Sequence, residues 1–396
     1  MLVYLAPCGI GLGHAARCIA IAKELRRRGT DVVFSTYGEA VQFVRKAGFH
    51  AIKVPGIEYR QKADGTIDLQ LTLAKGPSTI YWFLRQVGAE IYNIGQYKPD
   101  IVISDTRLSS VIASAFRITP RILLINQLLI VIPRLKPASR KVLEVKNLFE
   151  RLSLEFLSRL WSLSNLILIP DFPPPLTISK ANLVVKREYA DRSMFIGPLI
   201  PRRPEELPSR EELRKKLGVD DKILVFIALS GTLYEKISLA LSLLRIVKRI
   251  KGDFLFVISV GMPGGSGVYS VGDNVLFFEW LEDRYEFLKA ADVLVSHGGH
   301  TTIAEAMYYG IPMILIPTRG HTERIGNARS VEKLGIAEVI PQEKLSLEIF
   351  TEKLKIITGN GEYLERCKEV KHIASFFNAA NKAADIILSL VNDEEL

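Results

Sequence analysis

Ser296–Ala306 reads S-H-G-G-H-T-T-I-A-E-A, and this stretch decides the fold around it. The mostly apolar run Ala291–Val295 precedes it; Ile303, Met307 and then Gly310 follow with the spacing and stop signal of a helix. A buried strand that ends in His297-Gly298-Gly299 at a helix start is an anion site. Glycines let the backbone approach a ligand closely. The free N–H groups of Thr301 and Thr302, with the positive end of the helix dipole, favour negative charge. Glu305 lies one turn beyond Thr301, within reach of a group attached to that anion, such as ribose hydroxyls. A nucleotide with a diphosphate fits this pattern. The competing reading is a turn that only tightens strand-to-helix packing, but packing alone asks for neither His297, His300 nor the spaced acid.

The same arrangement opens the chain. Leu2–Ala6 is a short apolar strand, Cys8–His14 reads C-G-I-G-L-G-H, and Ala15–Arg28 has an apolar face of Ile19, Ala22 and Leu25. Gly29 closes that helix and Asp31–Thr36 is the next strand, the start of a Rossmann-like half. Gly11, Gly13 and Ala16 match G-x-G-x-x-A, yet the acid expected at the end of the second strand is replaced by Ser35 and Thr36. A nicotinamide-dependent dehydrogenase is disfavoured on that ground.

At 396 residues and 48% hydrophobic, the chain is long enough for two ordinary domains. Strands alternating with helical patterns argue an α/β class. Cys8, Cys18 and Cys367 lack metal-like spacing and suggest a reducing compartment, so a cytoplasmic location is expected. The longest apolar run, 122–132, is too short to span a bilayer. A net charge of +9 permits anionic partners. Aromatic positions interleaved with basic ones, as nucleic-acid binding needs, are not found, and nucleic acid is not expected as a partner.

Further strands are expected over 101–104, 121–125 and 166–169 in the first half. In the second half they fall over 222–229, 254–260, 275–278, 293–295 and 313–316. The proline-dense stretch around Pro198–Pro208 reads as a linker. Ser230-Gly231-Thr232 forms a second small-residue loop before a helix, Gly261–Gly267 reads as a mobile loop, and the tail from His372 to Val391 has helical spacing. Two Rossmann-like domains facing a cleft are the economical architecture.

His14, the Ser230-Gly231-Thr232 loop, Trp280, and His297-Gly298-Gly299-His300-Thr301-Thr302 with Glu305 together carry a resemblance. The chain resembles nucleotide-sugar glycosyltransferases of the GT-B fold, in the group of the UDP-glycosyltransferases and the MurG-type cell-wall N-acetylglucosaminyltransferases. The resemblance implies an acceptor-binding domain over 1–195, a linker over 196–209 and a nucleotide-sugar domain over 210–375. The tail over 376–396 is expected to pack back on the first domain. It implies that His297 and the backbone after it hold the donor diphosphate, that Glu305 holds the ribose, and that Trp280 stacks on uracil. At the positions of the family's Asp-Gln pair stand Glu323-Arg324. Glutamate still accepts from sugar hydroxyls, whereas arginine only donates and suits a carboxylate or a phosphate oxygen.

Transfer requires a base for the acceptor hydroxyl. His14 at the tip of its loop is the candidate, with Asp105 at the end of a neighbouring strand to orient it. The alternative for Asp105 is a cap on the helix beginning near Leu108. The implied activity is an inverting hexosyl transfer from a UDP-sugar co-substrate, without cofactor or metal. A sugar-nucleotide epimerase and a non-catalytic sugar-nucleotide-binding protein remain alternatives. Val131–Trp161 carries Arg134, Lys136, Arg140, Lys141, Lys146, Arg151 and Arg159 around an apolar stripe of Val145, Phe149, Leu152, Phe156 and Leu160. It reads either as a peripheral membrane contact for a lipid-linked acceptor or as a helix covering the sheet.

Overall fold

The computed structural model of the chain describes residues 1–10, 12–56, 76–129, 140–219, 221–262 and 264–392. The first half holds strands β1 (Leu2–Pro7), β2 (Asp31–Thr36), β3 (His50–Lys53), β4 (Ile101–Asp105), β5 (Arg121–Leu124), β6 (Leu166–Ile169) and β7 (Ser193–Phe195). They form one parallel sheet in the order β3-β2-β1-β4-β5-β6-β7. Its helices are α1 (Gly13–Arg27), α2 (Ala40–Lys46), α3 (Gly76–Tyr97), α4 (Leu108–Phe116), α5 (Arg140–Trp161) and the short α6 (Arg187–Ala190).

The second half holds β8 (Ile223–Ala228), β9 (Phe254–Ser259), β10 (Val268–Ser270), β11 (Val275–Phe278), β12 (Val293–Ser296), β13 (Met313–Leu315) and β14 (Ala337–Val339). Their order is β10-β11-β9-β8-β12-β13-β14, parallel except for β10 at the edge. The helices here are α7 (Arg210–Lys216), α8 (Leu233–Val247), α9 (Arg284–Ala290), α10 (His300–Tyr309), α11 (Thr322–Glu332), α12 (Leu347–Gly359), α13 (Gly361–Ser375) and α14 (Ala379–Asn392). Buried strands such as Ile101–Asp105 and Val293–Ser296 are covered on both faces, which is why they read as apolar runs without alternation.

Strand order reverses between β1 and β4 in one sheet and between β8 and β12 in the other. Ligands of open α/β sheets bind at such switch points, beyond the carboxyl ends of the strands. His14 opens α1 after β1, Asp105 ends β4, and Ser230 and His297 lie in the loops after β8 and β12. The residues singled out by motif therefore sit where the topology opens.

The two halves are packed together. Phe172, Leu176 and Ile178, which follow β6, join the core of the second half. Of the segment expected as a mobile loop, residues 261–262 and 264–267 form no helix or strand and lead into β10, which pairs with β11. The helical tail breaks at 376–378, and α14 buries Ala383, Ala384 and Ile387 in the core of the first half. Gly197 (φ +86) lets the linker pass Phe377: a Cβ there would come within 2.8 Å of the Phe377 side chain. Linker and tail thus cross at one point behind the cleft.

Candidate active site

A cavity of about 520 Å³ lies between the halves, lined by His14 and Asn126 on one side and by Ser230, Trp280, Thr301 and Glu323 on the other. The two walls touch, since a Cβ on Gly13 would stand 3.1 Å from Thr301 Oγ1. Gly11 of the first loop lies outside the described residues.

On the first wall, His14 Nδ1 is 2.8 Å from Asp105 Oδ1. Asp105 is fully buried, and the helix that follows is capped at Arg107 without a side-chain bond, so the capping alternative for Asp105 fails. Burial alone would raise the Asp105 carboxyl; Arg17 and then His14 outweigh it and hold it well below the usual carboxylate range. Helix α1 has neither a side-chain cap nor an acid in its first turn, and Leu12, Gly13 and His14 at its start line the cavity.

On the second wall, α10 starts at His300 after Gly299, again with no side-chain cap and no acid in the first turn. Its first-turn amides are open to an anion. Gly298 adopts φ +81, which only glycine takes without strain, and a Cβ on Gly299 would come within 3.3 Å of Ser230 Oγ, so the two loops abut. Trp280 lines the cavity, with Lys46 Nζ 5.9 Å from its ring across the cleft. Glu305 lines it too, although it is 1% exposed. Its carboxylate accepts from Arg284 and from the Tyr285 hydroxyl at 3.3 Å. Two of the roughly four acceptor positions of a carboxylate are thus used, leaving capacity for a ribose.

Three of the implied donor contacts stand differently. His297 is 1% exposed and does not line the cavity; neither ring nitrogen has a hydrogen-bond partner among the described residues. Burial and then Arg324 push its pKa well below 6.5, with only the Glu235 backbone favouring the charged form. It sits behind the glycines as a neutral ring and brings no charge to a phosphate. His300 lines the cavity, and its Nε2 is also 3.2 Å from Asp171 Oδ2 of the first half, a carboxylate already bonded to Phe172, Ile178 and Ser179. Arg324 lines the cavity but is held by the protein. Its Nη1 donates to Glu235 Oε1 at 3.1 Å and to Thr318 Oγ1 at 2.5 Å beneath Gly231.

Glu323 faces the cleft. Burial opposes its ionisation, but His321, the Gln127 side chain, Arg324 and His14 together lower its pKa. It is an ionised acceptor opposite the His14 wall.

The Ser230-Gly231-Thr232 loop is closed from behind. Glu235 Oε2 accepts from Thr232 N at 2.9 Å and Thr232 Oγ1 at 3.1 Å, so the first turn of α8 is capped by its own carboxylate. Lys236 beside it is buried, donates to Gly261 O at 2.8 Å and lies 3.9 Å from Glu39 of the first half.

Motif reading missed Arg17, Glu235, Lys236, Arg284, Tyr285 and His321. Arg17 carried a signal, three residues after His14 on one helical face. Glu235 carried another, as the acid of a T-x-x-E capping box. The others come together only through the tertiary fold.

The same architecture occurs in solved glycosyltransferases. The spinosyn rhamnosyltransferase SpnG superposes with a TM-score of 0.68 over 98% of this chain and 100% of its own, at 16% identity. The chain has the GT-B fold. Residues 258–387 match the family model described as the glycosyltransferase family 28 C-terminal domain. It is 25% identical over 94% of both chains to an uncharacterized glycosyltransferase of Methanosarcina acetivorans. It is 29% identical to a second relative over 44% of this chain and 48% of that one. That protein is the UDP-N-acetylglucosamine–N-acetylmuramyl-(pentapeptide) pyrophosphoryl-undecaprenol N-acetylglucosamine transferase of Thermosipho melanesiensis.

Proposed function

We propose that this glycosyltransferase moves a hexose from a UDP-sugar to a hydroxyl of a membrane-associated acceptor, with inversion. The observation that carries the reading is the pairing of His14 with Asp105 across one cavity from the open first turn of α10. His14 Nε2 takes the proton as the acceptor oxygen bonds to the anomeric carbon. On the opposite face the sugar–phosphate bond breaks, and its electron pair leaves with the nucleoside diphosphate. A single displacement inverts the anomeric centre. The charge that develops on the diphosphate falls on the amides at Thr301 and Thr302, which are fixed before reaction. Charge stabilisation of this kind requires no metal ion. Trp280, Arg284 and Glu305 form the base and ribose end of the cavity, and Glu323 accepts from sugar hydroxyls. A neutral hexose fits this wall better than a carboxylate-bearing one, because the Arg324 fork is held by Glu235.

The acceptor class rests on the surface of the first half. Among the described residues no helix is long and apolar enough to cross a membrane. Helix α5 buries Ser158 and Trp161, while Val142, Val145, Phe149, Leu152 and Phe156 are each more than half exposed. The stripe therefore does not cover the sheet; Arg134 and Lys136 of the same basic segment lie outside the described residues. All three glutamates of α5 have cationic partners in Arg140, Lys146 and Lys186. Ile80, Tyr81, Trp82 and Leu84 near the start of α3 are exposed as well.

A thermal-shift screen of nucleotide sugars, followed by UDP release with membrane extract, tests the donor and the transfer. Release of UDP only with extract supports transfer; conversion of the donor alone supports epimerisation. Co-sedimentation with anionic vesicles tests the surface. Binding that weakens with salt and with Phe149→Asp and Phe156→Asp supports it, and none at low salt rejects it.

A further inference from the structure

Arg17 is 4% exposed, and the transfer step as described makes no use of its charge. Its Nε donates to Asp105 Oδ2 at 2.5 Å, its Nη2 donates to Oδ1 of the same carboxylate, and its Nη1 donates to Asn126 Oδ1 at 3.2 Å. The carboxylate that orients His14 is therefore also gripped by a planar two-pronged cation. Arg17 Nη2 lies 3.0 Å from His14 Nδ1. A guanidinium cannot accept, so these two atoms bond only if Nδ1 carries no proton. Both Nη2 hydrogens have other acceptors, Asp105 Oδ1 and Thr106 Oγ1 at 3.3 Å. That leaves the Nδ1 proton for Asp105 and the Nε2 lone pair for the acceptor hydroxyl.

We propose that Arg17 is a positioning residue of the proton-transfer pair: it fixes the Asp105 carboxylate and offsets its charge, so that His14 is oriented without being locked in its charged form. The proposal rests on the reading of His14 as the base. A bare buried carboxylate beside an imidazole favours imidazolium, which has no lone pair to offer. A cation 3.0 Å from the ring opposes that pull, while the ion pair keeps the geometry. The other groups around the ring act alike with or without Arg17. Glu323 of α11 faces it, with His321 and Gln127 around that carboxylate, and Cys18 of α1 stands 3.5 Å from Asp105 Oδ2.

The test is a titration of histidine ring signals by NMR in the full-length protein, with His14 assigned as the signal lost in His14→Gln. Arg17→Gln should raise the His14 midpoint by about one unit or more, and Asp105→Asn should lower it. Arg17→Lys, which keeps the charge, should leave it within about half a unit of the wild-type value. In the double variant Arg17→Gln/Asp105→Asn the midpoint should return toward wild type. An unmoved midpoint in Arg17→Gln overturns the proposal. If that variant does not fold, equal midpoints in Asp105→Asn and the double variant overturn it. Survival of UDP release in His14→Gln removes His14 as the base whatever the titrations give, so the two failures are distinguishable.

Discussion

Helices α8 and α10 both begin at the cavity after a strand and a small-residue loop, and they differ in what their first turn offers. In α8 the Glu235 carboxylate occupies the amide and hydroxyl of Thr232 and is itself paired with Arg324. In α10 the first turn has no acid and no side-chain cap. One N-terminus is satisfied internally and the other is available to a ligand. Similar loops are not equivalent sites: the anion goes where the fold leaves donors unpaired. The first-half helix α1 resembles α10 in being uncapped, and it carries His14 instead of a phosphate-facing threonine pair.

This division of roles can be broken or sharpened by substitution. His14→Ala should lower transfer by about 10²–10⁴-fold, the range of a lost general base, with UDP affinity unchanged in calorimetry. Weakened UDP binding in that variant would move the donor toward α1. Glu235→Gln leaves Arg324 buried without its anion and should cost about 3–5 kcal/mol of stability in denaturant unfolding. Its UDP affinity should nevertheless hold, because α8 does not carry the diphosphate. Glu305→Gln should weaken UDP and UDP-sugar alike by roughly 1.5–3 kcal/mol, through the shared ribose.

The smallest effect concerns pH. The pKa of His297 is depressed below 6.5 in the folded state, so the unfolded chain binds more protons as the pH falls through that value. Stability contributed by the neutral ring is present above pH 6.5 and is lost on acidification. Depressed carboxyls such as Asp105 and Asp171 add a further loss below their unfolded value of 3.8. Thermal melts should show the first decline at mildly acidic pH, and His297→Asn should flatten it; an equal slope in both proteins would contradict the burial account.

Much of this was legible in the sequence, for physical reasons. Strands buried on both faces announce themselves as apolar runs, and glycine loops at their ends mark the switch points, so the two halves and the positions of His14, Asp105 and Glu305 could be read. Short edge strands such as Ser193–Phe195 and Ala337–Val339 carry too few residues for a pattern. Side-chain pairing across the fold was not legible. Arg324 looked like a sugar contact until Glu235, 89 positions away, proved to hold it. His297 and His300 looked alike in the motif, yet one is buried behind the glycines and the other faces Asp171. The amphipathic spacing of α5 was plain, but which face met the protein depended on what packs beside it.

The contrast between the two helix starts has a direct test. Gly299→Asp places an acid at the open end of α10, where its side chain would cap the first turn as Glu235 caps α8. The backbone there, at φ −66, suits a side chain once the Ser230 hydroxyl, 3.3 Å from the new Cβ, turns aside. Calorimetric titration with UDP should show affinity reduced at least tenfold, about 1.4 kcal/mol, in a variant that melts no lower than the wild type. Wild-type UDP affinity in that variant would contradict the placement of the diphosphate on α10.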